Sequence, residues 1–111
     1  MRVFPIDGVA VSHETLTGIT TSTGFTSSVI APTTGNFAGK RARAALISIE
    51  VAPIRFFEDG EDPTATGGAD PGIFMPHGMS RVISGEHNVA NFRCINAVNL
   101  NGAEVHAQFY F

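Results

Sequence analysis

The chain has 111 residues, a formal charge of −3 and a single cysteine. A chain of this length buries about two-thirds of its unfolded surface, so one domain can build a core without metal or disulfide. The acidic balance argues against a dedicated nucleic-acid binder, and no apolar run reaches the roughly 18 residues of a membrane span. Val, Ile, Phe, Tyr and Thr supply 38 residues, against 14 from Leu, Lys, Gln, Met and Glu. Branched and aromatic side chains pack on pleated sheet, whereas the second set builds helices. The composition therefore predicts an all-β single domain with short strands and many turns.

In chain order, Met1–Asp7 has no long apolar stretch and is not expected to be a signal peptide. A short strand is predicted at Val9–Ser12. The Thr/Ser/Gly-rich stretch from Thr15 to Asn36 is predicted to hold one or two strands on a polar surface, with a flexible linker as the alternative. Residues 1–36 are thus expected to form an N-terminal arm with polar strands, ordered on assembly, and residues 37–111 the sandwich body. No helix is expected over Gly39–Ala45. The clearest strand is Ala45–Val51, where period-two alternation places Ile47, Ile49 and Val51 inward and Ser48 and Glu50 outward. After Ala52-Pro53 a second strand, Ile54–Phe57, turns Ile54 and Phe56 inward and Arg55 outward. Glu58–Thr64 forms a turn around Asp59-Gly60 and Pro63. Further strands are expected at Gly72–Pro76, Arg81–Ile83 and Asn91–Asn96, with a hairpin turn at Asn99–Gly102. The last strand, Glu104–Phe111, alternates cleanly: Val105, Ala107, Phe109 and Phe111 on one face, Glu104, His106, Gln108 and Tyr110 on the other. Seven or eight strands at this spacing predict an immunoglobulin-like β-sandwich.

The chemistry-bearing residues do not form a catalytic or cofactor motif, so no enzyme, metal or cofactor is expected. Glu58, Asp59, Glu61 and Asp62 are rich in oxygen ligands but lack EF-hand spacing, and read as a solvated turn. His13, His77, His87 and His106 are far apart and show no zinc-ligand spacing. No nucleophile elbow surrounds a serine, and Cys94 sits mid-strand as a small buried hydrophobe. Lys40, Arg41 and Arg43 carry three of the seven cationic side chains. They read as a polar lead-in to the next strand or as half of an ion-paired interface. Their natural complement is the Glu58–Asp62 turn, in the same subunit or a neighbour. The terminal Phe109, Tyr110 and Phe111 are candidate anchors for a subunit contact. With no Trp and one Tyr, a sugar-binding platform has little to build on.

The order Arg43-Ala44-Ala45-Leu46-Ile47, Ile54-Arg55-Phe56, Asp59-Gly60-Glu61-Asp62-Pro63-Thr64-Ala65-Thr66-Gly67 and Val89-Ala90-Asn91-Phe92-Arg93-Cys94-Ile95 continues into the alternating last strand. Over residues 40–111 this resembles small β-rich proteins encoded in the structural-gene regions of tailed bacteriophages. The Asp-Gly-x-x-Pro-Thr turn is also similar to one in immunoglobulin-like accessory domains of chitin- and hexosamine-degrading enzymes. The chain departs from the phage pattern in its richer acidic turn and in Cys94. The resemblance implies a virion structural protein made in the host cytoplasm, a decoration or cement protein on the capsid. Its implied partners are the major capsid protein and copies of itself, with a trimer fitting local three-fold positions. A neck or tail component and a glycan- or receptor-binding module are the alternatives.

Overall fold

A computed structural model describes residues 8–65, 71–97 and 102–111. Seven strands and two short helices follow in the order β1 (Ala10–Leu16), α1 (Ser27–Ile30), β2 (Ala44–Glu50), β3 (Ile54–Phe57), β4 (Ile73–Met75), β5 (Ser80–Ser84), α2 (Glu86–Asn91), β6 (Arg93–Asn96) and β7 (Glu104–Tyr110). They form two antiparallel sheets, β1-β7-β2-β5 and β4-β3-β6. The two cleanest alternations, β2 and β7, occupy the centre of the larger sheet. Their register sets Ala45 opposite Phe109, Ile47 opposite Ala107 and Ile49 opposite Val105, so every inward residue of one strand meets an inward residue of the other. The smaller sheet turns Ile54, Phe56, Met75 and Cys94 into the same core. The expected sandwich is present, with Ile47, Ile49, Ile54 and Phe56 inward as the alternation requires.

Strand order adds what alternation cannot. An immunoglobulin sandwich lays its last strand beside the sixth. Here β7 lies in the other sheet, between β1 and β2. An eight-stranded jelly roll, lettered B to I, divides into sheets B-I-D-G and C-H-E-F. β1, β7, β2 and β5 take the first set of places, and β6, β3 and β4 take H, E and F. The place of strand C, beside β6, is held by one isolated bridge, Thr23 to Cys94, with Thr23 N–H to Cys94 O and Cys94 N–H to Thr23 O both at 2.9 Å. The strand order is thus that of a jelly roll, with one strand's place held by a single residue pair.

An aromatic chain crosses the core between the sheets. Phe56 of β3 stacks near Phe92 with centroids 5.9 Å apart. Phe92 stacks on Phe25 at 4.8 Å, and Phe25 meets Phe109 of β7 edge-on, also at 4.8 Å. Both separations lie in the favourable range for offset and edge-to-face pairs. Phe25 belongs to the Thr/Ser-rich stretch, so that stretch is pinned to the core.

Several sequence expectations are corrected. Val51 is 64% exposed, not inward. Its φ is 74°, and Ala52 N–H bonds Glu50 O at 2.9 Å, closing a γ-turn around it. This reversal sends the chain from one sheet to the other within three residues and flips the side chain out, a strained conformation for a β-branched residue. The first strand runs to Leu16, beyond the predicted Ser12, because β7 offers it a full-length partner. Residues 17–36 hold no full strand, only the Thr23 bridge and α1. The described part of the expected arm, residues 8–36, is packed on the body: β1 pairs with β7, and Leu16, Ile19 and Ile30 are buried. Part of the predicted Asn91–Asn96 strand is helical, since α2 ends at Asn91 and β6 starts at Arg93. That helix buries only Val89, too little to show a period. The predicted Asn99–Gly102 hairpin lies largely outside the described residues; the strands on either side of it, β6 and β7, belong to different sheets.

Candidate interaction surfaces

The basic run is fixed by its backbone. Ala42 N–H bonds Ile30 O, Arg43 N–H bonds Tyr110 O, and Gly85 N–H bonds Arg43 O. Buried Ala42 faces the core, which leaves Lys40, Arg41 and Arg43 exposed. Together with Phe37, Glu86 and Phe111 they line an open groove of about 550 Å³. Lys40 Nζ lies 6.0 Å from the Phe37 ring centroid, and Arg43 Nη2 approaches Phe111 O at 3.5 Å. No ion pair among the described residues involves these three cations.

The acidic turn is organised separately. Glu58 Oε2 accepts from Arg81 Nη2 at 2.6 Å and from Arg81 Nε at 2.9 Å. Its partner is therefore Arg81, not the basic run expected as its complement within one subunit. Asp59 Oδ1 accepts the Glu61 N–H at 3.0 Å, an Asx-turn, and Ser22 Oγ donates to Asp62 Oδ1 at 2.8 Å. Gly60, at φ 88°, bonds its N–H to Asn91 O. Asp59, Glu61 and Asp62 remain exposed. Among the described residues no group of three or more His, Cys, Asp and Glu could hold a metal ion.

The C-terminal aromatics divide by face. Phe109 and Phe111 are buried, so they are core residues rather than surface anchors. Tyr110, on the other face, is half-buried and donates its hydroxyl to Gln108 Oε1 at 3.1 Å. Period-two alternation places the three on different faces, and only Tyr110 is available to a partner.

Two surfaces escaped the sequence reading. The first is the outer face of the larger sheet, where His13, Thr15, Ser48, Ser80, His106 and Gln108 line a shallow groove of about 290 Å³ floored by Leu46. Within it His106 Nε2 lies 3.0 Å from Glu104 Oε1, and its Nδ1 lies 3.2 Å from the Thr15 hydroxyl. This hydroxyl–imidazole–carboxylate chain is exposed, which screens each bond. The arrangement is a cross-strand brace. Its signal was hidden because Thr15 and His106 become neighbours only when β1 is given its full length. The second surface is β4, which pairs with β3 on one side only. Ile73 and Phe74 on it are 55% and 50% exposed, and Arg55 Cζ lies 5.4 Å from the Phe74 ring centroid.

Cys94 is fully buried in β6, and burial pushes its thiol up to about 12. A thiol so held is inert at neutral pH, as expected of a packing residue. Comparison with protein-family models, with curated proteins and with solved structures finds no match.

Proposed function

We propose that this chain is a structural subunit of a tailed-phage particle, a decoration or cement protein that binds the assembled shell. The observation that carries the reading is β4. It is a three-residue edge strand whose outer backbone edge is unpaired among the described residues. It also presents two large, half-exposed apolar side chains, Ile73 and Phe74. A free edge with apolar side chains fits strand addition to a partner: the backbone supplies affinity and the alternate side chains supply selectivity. Arg55 beside Phe74 adds the arginine–aromatic pairing common in interfaces. The sequence resemblance over residues 40–111 points to the same class, whereas strand order alone carries no function. On a lattice, many copies raise effective concentration, so each contact can be weak.

The test is the copy number relative to major capsid protein in purified particles, with Phe74→Glu as the probe of the surface. A ratio that scales with the shell lattice, lost with Phe74→Glu, is expected. A ratio of one small ring makes the chain a neck or tail part, and absence from particles removes the virion reading altogether. A second reading, a glycan-binding module, rests on the hydroxyl-, amide- and imidazole-lined groove around Thr15, His106 and Gln108. Binding of sugars by isolated protein, abolished by Gln108→Ala, supports it.

A further inference from the structure

We propose that this chain associates head to tail with itself, the groove at Arg41 and Arg43 of one copy receiving the acidic turn at Glu61 and Asp62 of the next. This inference is independent of the virion reading and stands on charge placement. Lys40, Arg41 and Arg43 form one exposed cationic cluster, and Asp59, Glu61 and Asp62 form one exposed anionic cluster. No ion pair among the described residues joins them or satisfies either.

The fold keeps the two clusters apart. They stand at opposite ends of α2: Gly85, at its start, bonds Arg43 O at 2.7 Å, and Asn91, at its end, accepts the Gly60 N–H at 3.1 Å. Six helical residues span about 9 Å at 1.5 Å per residue, so the helix acts as a spacer. The turn is also set before docking. Arg81 holds Glu58, Asp59 holds the Glu61 N–H, and Ser22 holds Asp62. A preorganised loop loses little entropy on binding. The receiving groove also has the half-buried Phe37 beside Lys40, and one carboxylate, Glu86, against three cations, so its balance is cationic with an apolar wall that suits a chain segment better than a free ion. When each copy's groove takes the turn of the next copy, without the reciprocal contact, the association is heterologous: it closes into a ring or runs on as a filament.

Sedimentation velocity of the full chain tests this. Wild-type protein is expected to be oligomeric at about 0.1 M salt and to dissociate at about 1 M, as the screening length falls from about 10 to 3 Å. Arg41→Glu/Arg43→Glu and Glu61→Lys/Asp62→Lys should each sediment as an 11.7 kDa monomer. An equimolar mixture of the two variants should re-associate, because each reversed surface then meets its complement, and the chain carrying all four changes should recover the wild-type mass. Should the arginine pair fail to fold, Arg41→Gln/Arg43→Gln replaces it. A monomeric wild type at low salt overturns the proposal. So does an oligomer that survives either charge reversal, or folded variants that do not associate when mixed.

Discussion

The two edges of the larger sheet meet the same difficulty and answer it with opposite charges. On β1 the inward position opposite Ala107 is Glu14, and on β5 the inward position opposite Ile47 is Arg81. Both positions are only partly buried, Glu14 intermediate and the Arg81 side chain 45% exposed, so an apolar side chain there would be half wet. Glu14 turns its carboxylate onto Thr26, accepting the backbone N–H at 3.0 Å through Oε1 and the hydroxyl through Oε2. Arg81 reaches across to Glu58, the residue that follows β3 of the other sheet, and lays its guanidinium 5.2 Å from the Phe56 ring centroid. Glu14 ties down a crossover loop, whereas Arg81 ties sheet to sheet. Inward charges on edge strands also discourage pairing with another chain's edge. β4 carries no such charge, and its Ile73 and Phe74 stand half-exposed at the edge of the smaller sheet.

The strongest way to break this comparison is to remove the ring beneath Arg81. Phe56→Ala is expected to cost about 3–5 kcal/mol, because it opens a cavity in the aromatic chain and strips the guanidinium of its platform. Chemical denaturation read by circular dichroism measures it, and a loss under about 1 kcal/mol would mean the core has collapsed around the gap. The centre of the sandwich should tolerate no charge at all, in contrast to its edges. With the Cys94 thiol raised from 9.0 to about 12, its contribution to stability is complete below pH 9. That contribution falls as pH rises towards 12, by about 1.4 kcal/mol per pH unit. The pH profile of Cys94→Ala should lack this component above pH 9, and identical slopes for both proteins would contradict the assignment.

At the edges the effects are smaller and differ in kind. Arg81→Ala should cost about 1 kcal/mol at low salt, since the pair is partly exposed and screened. Most of that loss should vanish near 1 M salt. Glu14→Ala should cost about 0.5–1 kcal/mol, like the loss of a helix cap, with little dependence on salt because its partner Thr26 is neutral. Thermal melts of both variants at two salt concentrations separate the cases; equal salt sensitivity would erase the distinction between the two edges.

What was legible in the chain follows one rule. Where a strand is central and buried on one face, as in β2, β3 and β7, alternation names its inward residues directly. Edge positions defeat the rule, because Glu14 and Arg81 point inward while looking like surface residues. The acidic turn and the basic run were visible as clusters, but Arg81 stood in neither and took Glu58 from the expected pair. Phe109 and Phe111 looked like a terminal anchor only while the strand's second sheet neighbour was unknown.

The sequence by itself determined the β class, the core faces of the regular strands and the location of the charged turns, because these depend on period-two spacing and local turn chemistry. Tertiary structure alone decided that β7 lies between β1 and β2, that Thr23 stands where a strand would lie, and that Val51 is expelled by a γ-turn. Those outcomes depend on which distant strands pair and how few residues are left to cross between sheets, and no local pattern encodes that distance.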